Sequence, residues 1–496
     1  MYLAKRMPRD CFYLYKGTAH DAPSIQFQLP YSLPWYLRSP KRLSMARLFF
    51  AIFVFILSLH YFMAPNLAMS RTTLTSDQSA LLALKSSMNL NNHDLLANNW
   101  SNSTSVCNWI GITCDARHGR VKALNLSNMG LTGIIPPELG NLSFLAKLDL
   151  SNNNFHGELA NELHQLLRVE LLNLSYNGFS GEIPIWLGSL SKLQYLSLQN
   201  NILGGFIPLS ISNLSKLVTL DLSSNHIGGT IPSEIGQLWQ LKTLNFGINK
   251  LSGSIPAEIF NISSLEVVNL AYNSFSGNIT AELGALPQLR IMMLQNNFLT
   301  GSIPLTMFNN SMLQDINLSN NNLSGNLPTN ICYGLLKIEQ LDLSINDFSG
   351  QMPSNWHECR VLTSLNLSYN SFNGGSIPSD IGNLTTLQYL YLGMNNLQGE
   401  IPFSLFNMSS LRVLSLFSNN LCGSLLKEMC HHIPQLEEFT ISYNFFEGNI
   451  PRQIGNCTFL EKLSLVHNSF TGTPYTRKYI LPTKSVSSSI NLFLLL

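Results

Sequence analysis

Leu220–Pro232 reads LDLSSNHIGGTIP, and the same thirteen-residue phrase returns every 24 or 25 residues from Leu124 onward. Its asparagine serves as a counter: Asn153, Asn177, Asn201, Asn225, Asn249, Asn273, Asn297, Asn321, Asn346, Asn370, Asn395, Asn419, Asn444 and Asn468, with Met129 in that place in the first of fifteen copies. Leu220 and Leu222 point to one side of a short strand and Asp221 to the other. The Asn225 amide, with two donors and an acceptor, can satisfy the backbone of the turn that leaves the strand. Gly229 permits a tight bend, and Pro232, lacking an N–H, suits a segment outside the ladder. One coil cannot bury its leucine side. Stacked coils share a continuous core, and fifteen parallel strands roughly 4.8 Å apart make a wall on the order of 70 Å long.

This period falls in the range of leucine-rich repeats. The expected fold is α/β: a right-handed leucine-rich-repeat solenoid, a horseshoe or superhelix, with a parallel concave β-sheet and an N-terminal helical disulfide cap. The expected divisions are 1–44, a leader extension foreign to the native product; 45–70, a signal peptide or signal anchor; 71–120, the cap; 121–472, the repeats; and 473–496, a truncated or disordered tail without repeats. Charged residues are 11% of the chain, far below the usual quarter, and polarity comes from Asn and Ser instead. Eight basic and two acidic residues precede Arg71; removing that +6 from the formal +1 leaves about −5, which argues against nucleic acid as a partner.

Lys41, Arg42 and Arg47 precede LFFAIFVFILSL, a positive region and apolar core of signal-peptide length, with an uncleaved signal anchor as the alternative. Met45 is the more plausible start. Thr75 to Gln78 reads as a capping box opening a helix through Leu81, Leu82, Leu84 and Met88. In WSNSTSVCNWIGITC, Cys107 and Cys114 beside Trp100 and Trp109 most simply form a disulfide that seals the open end of the core.

DQSALLALKS, CNWIGITC and the LxGxIP repeat together resemble the extracellular domain of plant leucine-rich-repeat receptor-like kinases, notably the pattern-recognition immune receptor group, over about Thr75 to Gly472. The resemblance implies recognition of a peptide or protein ligand at the cell surface, with a leucine-rich-repeat co-receptor as a further partner, in immune or developmental signalling. The alternative is a secreted inhibitor resembling polygalacturonase-inhibiting proteins, which are shorter. The implied location is the secretory pathway and the extracellular face of the plasma membrane, or the apoplast for a chain ending at 496. No G-x-G-x-x-G, H-R-D or D-F-G stretch occurs, so no kinase and no other enzyme is expected, nor any cofactor or metal. His431-His432 reads as a solvated pair. The abrupt loss of the repeat at Thr473 suggests a truncated ectodomain.

Cys332 and Cys359, and Cys430 and Cys457, are 27 residues apart, one coil plus a few residues, so two further disulfides are expected; buried free cysteines are the alternative. Cys422 has no such partner. Of fifteen Asn-x-Ser/Thr sequons, Asn102, Asn141, Asn213, Asn261, Asn309, Asn383 and Asn407 are the expected glycan carriers, while Asn125, Asn173, Asn317 and Asn366 sit between strand leucines. On the outward strand positions most repeats carry Ser, Asn, Asp or Thr. Repeats 11 to 14 instead present Tyr369, Tyr389, Tyr391, Met394, Phe417 and Tyr443, the expected ligand-binding residues, since binding surfaces enrich aromatic anchors. A smaller group is Val267, Tyr272, Ile291 and Met293; repeat drift is the alternative for both.

Overall fold

The computed structural model describes residues 75–90, 95–373 and 375–471, so the expected leader, signal segment and tail lie outside the described residues. Each LxL becomes a three-residue strand. Thr219–Asp221, Thr243–Asn245, Val267–Asn269 and Ile291–Met293 pair in parallel, placing Leu220, Leu244, Val268 and Met292 side by side in the core, all fully buried. Among the described residues this sheet has sixteen strands: fifteen from the repeats, and Ile112–Cys114 of the cap, which pairs antiparallel with Val121–Asn125 at its edge.

The asparagine fastens each coil to the previous one. Asn225 Nδ2 donates to the carbonyls of Leu198 (2.9 Å), Leu222 (3.1 Å) and Ser223 (3.1 Å), and its Oδ1 accepts the Leu203 N–H (3.1 Å). Gly229 then turns the chain at φ +73°, and Lys250–Gly253 runs parallel to Gly228–Gly229 in short lateral sheets that flank the main one. Pro232, at φ −63°, leads into the five-residue 3-10 segment Ser233–Gln237. The return is 3-10 in nearly every repeat, because a coil this short has few residues for its back and a 3-10 segment covers about 2.0 Å per residue.

At the cap, residues 75–86 form a helix that already includes Thr75. Two expectations are corrected there. Met88 lies beyond the helix, buried and bridged to Gly133, and Gln78 donates its amide to Asn102 Oδ1 (3.2 Å). Asp77, fully buried, takes Arg120 Nε (2.8 Å), Arg120 Nη2 (2.7 Å) and the Val121 N–H (3.0 Å), which ties the helix to the first repeat strand. Trp100 and Trp109 stack at 5.3 Å beside the Cys107–Cys114 disulfide. Two further disulfides, Cys332–Cys359 and Cys430–Cys457, join neighbouring coils with Cα atoms 5.1 and 4.9 Å apart. Cys422 is free and exposed. His431 and His432 sit on the short helix Met429–His432 and not on a loop, and no cluster of three or more metal-ligating side chains occurs among the described residues.

Candidate functional site

The outward residues of the sheet form a wall with a regular polar surface. Where a strand carries Asp or Asn between its leucines, the serine two residues on donates its hydroxyl to it, as Ser223 does to Asp221 (2.6 Å), Ser344 to Asp342 (2.6 Å) and Ser368 to Asn366 (2.6 Å). The ladder also runs between repeats: Asn245 Nδ2 donates to Ser223 Oγ (3.1 Å), and Asn366 Nδ2 to Ser344 Oγ (3.2 Å). The ladder occupies Oδ1 of each Asp or Asn and orients the hydroxyls along the wall, leaving the second carboxylate oxygen of Asp221 and Asp342 outward.

The ladder is absent at Ser197 and Gln199 of repeat 4 and at Thr440 and Ser464 of repeats 14 and 15, and it breaks in two further places. In repeats 12 and 13 Tyr391, Gly393 and Phe417 replace its members. Tyr389 and Tyr391 flank inward Leu390 on the strand Tyr389–Tyr391, both half-buried. A Cβ on Gly393 would fall 2.4 Å from the Phe417 ring, so that ring packs against the glycine where no side chain fits, and it meets Tyr369 edge-on at 5.9 Å. Arg412 Nη1 donates to the Tyr389 hydroxyl (2.9 Å) while its Nε and Nη2 hold Glu437 Oε1 (2.8 and 2.6 Å), which fixes the ring's orientation. Burial, with the Glu438 carboxylate second, pushes the Tyr391 phenol above its usual value, so it stays a hydrogen-bond donor.

Tyr369, Met394, Phe417 and Tyr443 do not lie on strands, contrary to the reading of one run along adjacent strands; Phe417 follows the strand Val413–Ser415 by two residues. Tyr369, Met394 and Tyr443 occupy the left-handed position just before the repeat asparagine, at φ +55°, +54° and +56°, and stand out at one rim of the wall. Tyr443 stacks on His467 at 4.2 Å. The second break lies at Gly247, Ala271, Met293 and Gln295, near the smaller group of outward residues. The seven expected glycan carriers are all exposed; Asn141, Asn213, Asn261, Asn309, Asn383 and Asn407 each end a 3-10 segment on the return side of the coil.

Between the two breaks, Asp315 faces Glu339 and Asp342 from the next strand, with Gln340 beside it and Arg290 and Ile291 on the strand before. Burial, then Asp342, then Glu339 push its carboxyl up to about 6. The folded protein therefore binds this proton more tightly than the unfolded chain, and stability falls as pH rises from about 4 to 6. Asp315→Asn is expected to raise stability at pH 7 by about 1 kcal/mol and to flatten that dependence. Urea unfolding at pH 4.5 and 7 checks it; an unchanged slope contradicts the placement.

A curved stack of such coils, with an outward polar wall, defines the class of leucine-rich-repeat proteins. Residues 74–115 match the leucine-rich repeat N-terminal domain, 185–316 a leucine-rich repeat region, and six further segments from 120–142 to 386–408 the single repeat. The LRR receptor-like serine/threonine-protein kinase EFR of Arabidopsis thaliana is 45% identical over 82 residues, 16% of this chain and 8% of that protein. The crystal structure of the LRR ectodomain of the plant membrane receptor kinase GASSHO1/SCHENGEN3 from Arabidopsis thaliana, in complex with CASPARIAN STRIP INTEGRITY FACTOR 2, is similar at 33% identity and TM-score 0.68, over 79% of this chain and 53% of that one. The plant peptide hormone receptor RGFR1, in complex with RGF2, is similar at 30% identity and TM-score 0.53, over 73% of this chain and 72% of that one. The chain belongs to the leucine-rich-repeat family, and it spans about half of the GASSHO1/SCHENGEN3 ectodomain. No helix among the described residues is long and apolar enough to cross a membrane.

Proposed function

We propose that this chain is the ligand-binding part of a plant cell-surface receptor, taking a peptide or protein ligand on its outward wall in immune or developmental signalling, with a leucine-rich-repeat co-receptor as partner. The observation that carries the reading is the replacement of the polar Ser–Asx ladder by Tyr391, Gly393 and Phe417, with Tyr389 beside them and Tyr369, Met394 and Tyr443 at the rim. Rings held by Arg412 and Gly393 present apolar surface at low entropic cost, the property of binding anchors. The likeness to receptor ectodomains crystallised with peptide ligands supports it. Glycans on Asn102, Asn141, Asn213, Asn261, Asn309, Asn383 and Asn407 would leave the wall open.

The test uses peptides enriched from a displayed random-sequence library on the secreted chain. Replacing Tyr389, Tyr391 and Phe417 by Ala is expected to weaken their binding by roughly a hundredfold, with export unchanged and the thermal midpoint within a few degrees, since these residues lie outside the leucine core. Affinity within twofold of the parent sends the site elsewhere.

A further inference from the structure

On the flank of the solenoid, away from the outward wall, repeats 8 and 9 carry a hollow of about 300 Å³ lined by Asn296, Asn297, Phe298, Asn320, Asn321 and Asn322. One aromatic ring stands among five asparagines. We propose that Asn322 carries an N-linked glycan and that this hollow seats its first N-acetylglucosamine, with the Phe298 ring as the platform. The inference rests on the reading of the chain as a secreted ectodomain, and it adds a site on the lateral sheet to the seven expected carriers.

The acceptor is in the sequence. Asn322-Leu-Ser324 is a sequon, and Asn322 is exposed at the start of the lateral strand Asn322–Asn326. Nearby sequon asparagines are engaged: Asn317 accepts the Ser319 hydroxyl (2.7 Å) and Asn278 the Thr300 hydroxyl (3.2 Å). The Asn322 amide makes no hydrogen bond among the described residues. The register brings the ring to it. Thr300 of the strand Phe298–Gly301 pairs in parallel with Asn322, and exposure alternates along both strands, with Leu299 and Leu323 turned into the core. Phe298, Thr300 and Asn322 therefore share the outer face.

Phe298 is 59% exposed at a position where Asn154, Lys250, Ser274 and Asp347 stand in other repeats. A bare ring on a polar flank gains by covering, and the C–H face of a pyranose covers it. The asparagines suit the rest of the sugar. Asn320 Nδ2 donates to Asn296 Oδ1 (2.6 Å), which leaves Asn296 Nδ2 and Asn320 Oδ1 as donor and acceptor for the acetamido C=O and N–H. The hollow is about twice the roughly 150 Å³ that admits a benzene ring, enough for a pyranose with its acetamido arm. The sugar comes from a lipid-pyrophosphate-linked oligosaccharide: Asn322 Nδ2 bonds to C1 of the first N-acetylglucosamine, the bond from C1 to the pyrophosphate oxygen breaks, the pyrophosphate leaves with the electron pair, and Nδ2 gives one proton to a base of the transferase. Transfer takes place on the unfolded chain, so Phe298 holds the sugar afterwards and does not recruit it.

The full chain is produced in plant cells with mannose trimming blocked, and glycopeptide mass spectrometry is expected to find Asn322 occupied. An endoglycosidase that cuts just beyond the first N-acetylglucosamine is expected to act at Asn322 of the folded chain roughly tenfold faster after Phe298→Ser, the scale of one aromatic contact. Phe298→Tyr should keep the slow rate, and once unfolded all variants should be cut alike. Phe445→Ser, which removes an equally exposed ring at the same position of repeat 14 with no sequon beside it, should leave the Asn322 rate unchanged. Asn322 empty while Asn213 or Asn261 carries a glycan, or folded Phe298→Ser cut within twofold of the parent rate, overturns the inference and leaves the ectodomain reading standing. A chain without glycan at any sequon overturns both.

Discussion

Asp77→Ala is expected to lower the stability of the N-terminal cap by about 3–5 kcal/mol, because it leaves the Arg120 guanidinium buried without its counter-charge. Arg120 has few other resources. Its Nη2 also reaches Ser143 Oγ at 3.2 Å, and its guanidinium carbon lies 4.8 Å from the centre of the Phe144 ring, but neither carries a negative charge. The Val121 N–H at the start of the first repeat strand loses its acceptor as well. In a solenoid each coil is stabilised mainly by its neighbours, so the loss falls on the cap and the first repeats. The expected readout is an early thermal transition ahead of the main one, with hydrogen exchange accelerated over residues 75–125 and unchanged beyond repeat 5. The double variant with Arg120→Met should recover part of the loss, since no buried charge then stands unpaired, while the Val121 N–H still lacks its acceptor. A single unshifted transition contradicts the role assigned to the pair.

Asn225→Ala is expected to cost about 2–3 kcal/mol, from the interior of the array. One side chain makes four hydrogen bonds to buried backbone; on its removal the carbonyls of Leu198, Leu222 and Ser223 each keep one other donor, from Asn201, Asn249 and the Asn200 N–H, and the Leu203 N–H is left without a partner at a cost of about 1–3 kcal/mol. The alanine hole is small by comparison. Because the bonds reach Leu198 and Leu203 of the preceding coil, the damage is to the joint between repeats 4 and 5, and chemical unfolding should become less cooperative with a lower m-value. Leu→Ala at a single core position should lower the midpoint and leave the m-value largely intact. Unfolding of Asn225→Ala that stays as cooperative as the parent's contradicts the account of the joint.

The repeat made most of this legible. A period of 24 or 25 residues settles which leucines face inward, and the strand register then follows for every copy, so Tyr389 and Tyr391 could be placed on the wall before any coordinates. Long-range pairing was not legible. Asp77 reads as an early helix residue, and nothing local indicates that its partner is 43 residues away. The rim residues Tyr369, Met394 and Tyr443 were read as strand residues because alternation was carried past the turn, where the backbone takes positive φ. A useful signal was present: the position before each repeat asparagine holds Asn in five repeats, and its occupation by Tyr, Ile or Met marks the rim.

The placement of the ligand on the outward wall is tested most directly by photo-crosslinking. A library-selected peptide carrying a diazirine at its apolar residue is irradiated on the secreted chain, and the labelled residues are read by mass spectrometry. The account predicts labels at Tyr389, Tyr391 and Phe417, suppressed by unlabelled peptide. Labels concentrated on the exposed return-side residues Ile185, Trp239 and Phe403 would contradict it.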